Sequence, residues 1–423
     1  MQLSSSPRSE AETTFPAPAT PCLGYAAIVR MAYVRADLSD LTAILVARVQ
    51  GPVIDPGALL DLSALLQCQG GDLAFEGRIM QRRAIQLQSN YAIRHGRGTG
   101  LRILAFVTAG DFMANTPLDF LLNGSDAVLL LHFVDANTRA LDDLPPHDVA
   151  FMAIGESPEN AETLLVMTRL LAHWRGPIFN NAASLIASLT RDRVSHLLAG
   201  EPSILAPATH QLHRDDLRSL LHGVQLADLG EGLAFPLVLR PLGTHAGHGM
   251  VRILGLPDLA HWLANSPADQ VYVAPFVDYR GADGLYCKQR VVLIKGRPFA
   301  SHMATSKRWM VHYLNADMAE NADRRAAEAA WMASFDTSFA KRHAAAFAAL
   351  YRLVGLDYFG IDCAEAPDGR LVVFELDVAM IVHDMDDEQV FPYKKPAMHR
   401  LFAGFLAALE HETFIEGQSQ PLN

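Results

Sequence analysis

The stretch FGIDCAEAPDGRLVVFELD, residues 359–377, restricts the fold more than any other part of this chain. Phe359–Ala366 and Arg370–Asp377 both alternate as strands do, and Pro367-Asp368-Gly369 between them is a turn signal. With Asp368-Gly369 as a two-residue turn, Asp362 falls directly opposite Glu375. Asp377 then lies on the same face, opposite Gly360. Like charges opposed across a ladder destabilise it. The flanking residues expected on that face, Gly360, Ala364, Leu371 and Val373, are small or apolar and do not suit a solvated surface. A divalent hard cation would turn the repulsion into ligation, and Mg²⁺ favours a few carboxylates completed by phosphate oxygens. Asp362, Glu375 and Asp377 are therefore candidate metal ligands, with a plain solvated hairpin face as the alternative.

At 423 residues the chain has room for two or three domains. Lys and Arg number 35 against 46 Asp and Glu, a formal charge of −11, so no global basic field recruits nucleic acid or an anionic membrane. Cys22, Cys68, Cys287 and Cys363 show no metal-ligand spacing and read as reduced thiols of a cytoplasmic protein. Residues 1–20 are rich in Ser, Pro, Thr and Ala without an apolar core, which predicts a disordered tail and not a signal peptide. No apolar run reaches the length of a membrane span.

Residues 21–97 read as a helical extension, with helices expected over 37–50, 56–68 and 72–95. The last two resemble a single tetratricopeptide unit; a helical layer packed on the next domain is the other reading. From 98 to 182 short apolar strands alternate with helices: LRILAFVT, AVLLLHFV, VAFMAIG and PIFNN, with a helix over 160–174. That spacing predicts a parallel α/β sheet. Strands return at 235–241, 250–254, 270–277 and 285–304, followed by a long Ala-rich helix over 319–354, the acidic hairpin, and an amphipathic helix near the end.

Two further constellations carry chemistry. In RPLGTHAGHGM, residues 240–250, Gly243, Gly247 and Gly249 allow backbone amides to approach phosphate oxygens, and Arg240 adds a cation. The loop joins two strands and lacks a Gly-Lys-Ser/Thr ending, so neither the Walker nor the Rossmann pattern applies. In YCKQRVVLIKG, Lys288 and Arg290 are two apart and share a strand face. Each alone has an ordinary reading, as a loop and as a surface strand.

In order and spacing these elements resemble the ATP-grasp superfamily, which includes glutathione synthetase and D-alanine–D-alanine ligase. The likeness runs from about 177 to 410: the glycine-rich hairpin, VYVAPFV at the position of an interlobe hinge, the Lys288/Arg290 strand, and the Asp…Glu-x-Asp hairpin. It implies an ATP-grasp fold of two α+β lobes, 183–271 and 272–412, preceded by a parallel α/β pre-ATP-grasp domain at 98–182, with a C-terminal tail from 413. By resemblance Asp362, Glu375 and Asp377 hold Mg²⁺, and Arg240 stands for the family's nucleotide-contacting Lys. Arg191 matches the earlier basic ATP contact, with Arg193 the alternative. Val273, Ala274 and Phe276 line the adenine pocket, Asp278 reaches the ribose, and Arg290, beside Lys288, steadies the transferred phosphate. The chain departs from the family pattern in having Asp377 where Asn is usual, and Arg240 where Lys is usual.

The function so implied is ATP-dependent ligation of a carboxylate to an amine through an acyl phosphate, with ATP and Mg²⁺ as cofactors. Expected partners are small-molecule or peptide carboxylate and amine substrates, with no nucleic acid and no membrane; a homodimer is left open. His302, Lys307, Arg308, His312 and His383 are candidates to face the substrate. The alternatives are a nucleotide-binding regulatory or scaffold protein without ligase turnover, and an ATP-grasp phosphotransferase.

Overall fold

Three sheets carry the chain in the computed structural model, which describes residues 19–244 and 247–419. Most of the tail expected over 1–20 lies outside the described residues. The first sheet takes β1 (Thr20–Pro21), β2 (Asn90–Arg94), β3 (Arg102–Val107), β4 (Val128–Phe133), β5 (Val149–Met152) and β6 (Ile178–Phe179) in the order β1-β2-β4-β3-β5-β6. β3 to β6 are mutually parallel, as the strand–helix alternation implied, while β2 runs antiparallel to β4.

β2 corrects the expected helix over 72–95. Helix α4 (Gly71–Leu87) stops when Gln88 turns extended, and the chain then enters the sheet with Asn90, Tyr91, Ala92 and Ile93 buried. Tyr and Ile favour a strand, and Ser89-Asn90 weakly supports a helix. The extension is thus stitched into the first sheet at both ends, through β1 and β2. Between them stand α1 (Tyr25–Tyr33), α2 (Ser39–Val49) and α3 (Pro56–Gln67). Asp55 caps α3 by accepting the Ala58 amide at 3.1 Å, with Pro56 in the first turn. α3 packs against Ile28 of α1 and Leu45 of α2 on one side and, through Leu59 and Leu60, against Ala84 of α4 and Tyr91 of β2 on the other. The helix pair is a layer on the next domain.

β7 (Ile204–Leu205) precedes a second sheet of β8 (His210–His213), β9 (Leu237–Pro241), β10 (Val251–Ile253) and β11 (Gln270–Pro275), antiparallel throughout in the order β10-β9-β11-β8. This sheet has its own core, in which Leu237, Leu239, Val271 and Val273 pack on Trp262 and Leu263. The third sheet joins β12 (Tyr286–Ile294), β13 (Arg297–Ser306), β14 (Tyr358–Glu365) and β15 (Leu371–Asp377), with β7 added parallel to β15. Val194 and Leu198 of helix Arg191–Leu198, and Ile204 of β7, enter the core under this sheet. Residues 191–205 therefore pack with the third sheet, whereas a lobe boundary at 183 grouped them with the second.

The Ala-rich helix expected over 319–354 is three pieces: Ala322–Ser334, Phe339–Arg342 and Ala344–Val354. Asp336-Thr337-Ser338 weakly supports a helix, and buried His343, at φ −100° and ψ 18°, interrupts the run while its ring is held by Glu365 at 2.8 Å. The last helix, Lys394–Ser419, continues past 412, so the expected tail from 413 is helical to 419. Phe151 and Phe179 of the first sheet meet Tyr358 of the third and Phe405 of this helix in one aromatic cluster. The first and third sheets thus share a core from which the second projects.

The extension is also tied to the far end of the chain. Arg30 of α1 pairs with Asp384, whose side chain is 1% exposed and also accepts from Asn123 at 2.6 Å. Removing one partner of a buried ion pair leaves a charge unmatched. Arg30→Met should therefore lower unfolding free energy by about 3 kcal/mol in denaturant titrations, and Arg30→Lys by less.

Candidate active site

A cavity of about 820 Å³ opens where the three sheets face one another. Its walls come from the loops after β3 and β5, from β9, β11 and the glycine loop, and from β12, β14 and β15. A crevice beyond the carboxyl ends of parallel strands is where open α/β sheets place ligands.

The acidic hairpin reaches the expected pairing by an unexpected route. Its tip is a three-residue loop, Pro367–Gly369, with Gly369 at φ 87° and the Ala366 amide donating to the Arg370 carbonyl. That turn shifts the register by one, so Cys363 faces Val373. A bulge at Phe374 then restores the offset, leaving Asp362 opposite Glu375 and Gly360 opposite Asp377. The flanking residues change accordingly. Ala364, Val372 and Phe374 pack together on one side, whereas Leu371 and Val373 turn into the core with Cys363.

The charges on this face are already compensated by the protein. Asp362 is cross-strand from Arg290, which donates to it twice, from Nε at 2.8 Å and Nη2 at 3.1 Å. Lys288 Nζ stands 2.7 Å from the same carboxylate, which is 2% exposed. Burial pushes the Asp362 carboxyl up, but Arg290 and Lys288 outweigh it and hold it well below the usual range. Glu375 pairs with Arg191 and has Arg240 at 4.0 Å. Burial raises its pKa, and the two guanidiniums carry it down to about 2. Among the described residues Asp377 is in no ion pair. Burial, with Glu375 and Glu156 nearby, pushes it up to about 7 although it accepts the Ala379 amide at 2.9 Å, and Arg191 lowers it only weakly.

Protein cations offset Asp362 and Glu375 in this structure. Among the described residues no three His, Cys, Asp or Glu side chains are gathered to hold a metal ion. Asp362 is saturated by Arg290 and Lys288 and does not fit a ligand role in this arrangement. Glu375 and Asp377, both on the cavity wall, do fit, because Mg²⁺ binds through one or two carboxylates plus substrate phosphates.

ATP fits by volume and by charge. The cavity falls within the range of nucleotide-sized sites, and Arg191, Arg240, Lys288 and Arg290 all line it. Arg191 opens helix Arg191–Leu198 on the cavity side, while Arg193 is exposed. Burial and then Arg191 push Arg240 down to about 10, still charged at neutral pH. Gly243, Gly247 and Gly249 all have positive φ, between 68° and 73°, and the first two line the cavity. At Gly247 a Cβ would meet Met310 Sδ at 3.2 Å, so this loop closes against the third-sheet side.

Other expected residues are placed differently. Ala274 and Phe276 line the cavity, but Val273 is fully buried in the second sheet's core. Asp278 is exposed and bound to Arg280, with 2.9 Å from Arg280 Nε to its Oδ1, and it is not on the cavity wall. His312 lines the cavity; Lys307 and Arg308 are exposed and do not. His302 lies opposite Arg290 in the ladder, packed on the Tyr313 ring at 4.8 Å and off the wall. Burial and then Arg290 and Lys394 push it well below its ordinary pKa, so it is neutral. His383 is also off the wall, near the Tyr33 and Phe120 rings. The sequence reading missed Glu156, Tyr272 and Trp309. Of these, Tyr272 was available from alternation, being the cross-strand partner of Arg240.

The Asp377 shift has a testable sign. Between an unfolded value of 3.8 and a folded value of about 7, the native protein holds a proton that the unfolded chain has lost. Its contribution to stability is therefore full below about pH 4 and is lost as pH rises through 7. In metal-free, nucleotide-free protein, Asp377→Asn should raise the thermal midpoint at pH 8, raise it less at pH 5 and change it little at pH 4. The gain is of the order of 1–2 kcal/mol after allowance for partial exposure.

No protein-family model matches the sequence, and no curated protein matches it. Solved structures to which the chain is similar include one described as an ATP-grasp protein. A RimK domain ATP-grasp protein from Sphaerobacter thermophilus is 16% identical, covering 72% of this chain and 99% of its own, at a TM-score of 0.36. D-alanine–D-alanine ligase from Bacillus anthracis complexed with ATP is 12% identical, covering 76% and 100%, at 0.44. D-cycloserine synthetase DcsG is 15% identical, covering 73% and 99%, at 0.38. With TM-scores below 0.5, these are likenesses of fold and say nothing of substrate.

Proposed function

We propose that this chain is an ATP-dependent ligase that joins a carboxylate to an amine through an acyl phosphate. The observation that carries this reading is the convergence of Arg191, Arg240, Lys288 and Arg290 with Glu375 and Asp377 on one cavity closed by a glycine loop. Without nucleotide Arg191 and Arg240 offset Glu375. A polyphosphate would compete for Arg191 and Arg240, and Glu375 and Asp377 would then be the residues to hold Mg²⁺. When bound, that ion supplies positive charge at the phosphate oxygens.

A substrate carboxylate oxygen attacks the γ-phosphorus as the bond to the β-bridging oxygen breaks and ADP leaves. The amine nitrogen then attacks the acyl carbon, the C–O bond to phosphate breaks, and an amide, inorganic phosphate and a proton result. The chain contributes position and charge in both steps, and no nucleophilic side chain is required. Arg290 is fixed by Asp362 and by the Ile381 carbonyl at 3.1 Å, so its charge costs little reorganisation when negative charge develops nearby.

One observation favours the reading without turnover: Asp362 is locked in ion pairs and no three-carboxylate group is gathered. Release of ADP and phosphate, measured with Mg·ATP and a pool of amino acids and small carboxylic acids, separates the two. Ligase activity requires both products to depend on the pool, whereas nucleotide binding without release supports the regulatory reading. Glu375→Gln should abolish pool-dependent release while leaving the fold intact; turnover at the wild-type rate would exclude Glu375 from the metal site. Arg290→Ala should lower kcat about a hundredfold, with a small change in the KM for ATP. Loss of ATP affinity at undiminished kcat would instead make Arg290 a nucleotide clamp.

A further inference from the structure

The helical extension reaches the lining of the same cavity through one residue of α4. Arg78 of α4 lines it beside Ala109, Gly110 and Asp111 of the loop after β3. Gly77 sets the roll of α4: a Cβ there would meet the Ser63 carbonyl of α3 at 2.7 Å, so the helices approach at that point. Arg78 and Gln81, three residues apart, share a face of α4. The Gly110 amide donates to Gln81 Oε1 at 3.0 Å, fastening the loop to the helix that carries Arg78.

The charge on Arg78 is unspent. Arg191, Arg240, Lys288 and Arg290 each stand beside Glu375 or Asp362. Half-buried Arg78 makes no ion pair or hydrogen bond among the described residues, and its guanidinium lies over the Phe75 ring, 6.0 Å from the centroid. The nearest lining carboxylate in sequence, Asp111, instead accepts the Met113 amide at 2.9 Å. An arginine that lines a ligand cavity and has no ion pair among the described residues suits a bidentate oxyanion.

We infer that the extension is part of the substrate site and that Arg78 is a specificity-determining residue for an acid carrying a second anionic group, carboxylate or phosphate. This rests on the ligase reading for the first group, which meets Lys288 and Arg290, while Arg78 receives the second. The extension then restricts the acids admitted.

The full-length protein is titrated calorimetrically with glutarate, O-phosphoserine and butyrate, both with and without Mg²⁺ and a non-hydrolysable ATP analogue. The expected result is that one dianion binds about tenfold more tightly than butyrate. Arg78→Ala removes that preference, Arg78→Lys keeps part of it, and both variants retain wild-type affinity for the analogue. Preference for glutarate identifies a carboxylate, and preference for phosphoserine a phosphate. Dianions binding no better than butyrate, or a preference that survives Arg78→Ala, overturns the inference. Failure of the analogue to bind wild-type protein counts against the ligase reading, while the titrations without nucleotide still decide the role of Arg78.

Discussion

The cross-strand group of Asp362, Arg290 and Lys288 is the constraint on which the rest of this structure depends. A carboxylate 2% exposed would ordinarily take up a proton or fail to be buried. Here two cations on the neighbouring strand keep it ionised, and its charge in turn fixes the direction of both side chains. The ladder is irregular at this point on both sides: β12 shifts register against β13 between Arg290 and Val291, and β14 against β15 between Asp362 and Cys363. Such irregularities re-aim side chains next to functional sites. The sheet bends where its charges face the cavity.

The cavity is a property of the assembly of elements, since no single sheet encloses it. The first sheet contributes loops beyond β3 and β5, the second its glycine loop, and the third the charged strands. The second sheet has a core of its own, while the first and third share one. Its glycine loop meets the third-sheet side at Met310 rather than through a common core. That division suits a site in which one wall has to part from the other for a nucleotide to enter.

Much of this arrangement was legible because strand periodicity is short and strict. The pairing of Asp362 with Glu375 followed from period two and a turn, although the turn was three residues and not two. The partner of Asp362 did not follow: Arg290 is 72 positions away, and no local rule joins β12 to β14. Val273 shows a rule left unused, since alternation sends it to the core while Tyr272 and Ala274 reach the cavity. Asp278 was drawn away from the site by Arg280, two residues on, a local contact that outcompetes a distant one. β2 was hidden because its five residues continue a helical pattern, and only burial on the sheet reveals them as a strand. Arg78 carries no motif at all; its place follows from how α4 lies on α3.

The bulge at Phe374 separates the two ends of the acidic hairpin. The tip, with Gly369 in a left-handed conformation, sets one register, and the base, with Asp362 and Glu375, keeps another. The single unpaired residue works as a slip joint between them. A change of one residue in the exposed turn can be absorbed by losing or moving that bulge, without reversing the face on which the carboxylates stand. The tip is thereby free to drift in length and composition, while the chemistry at the base stays in register.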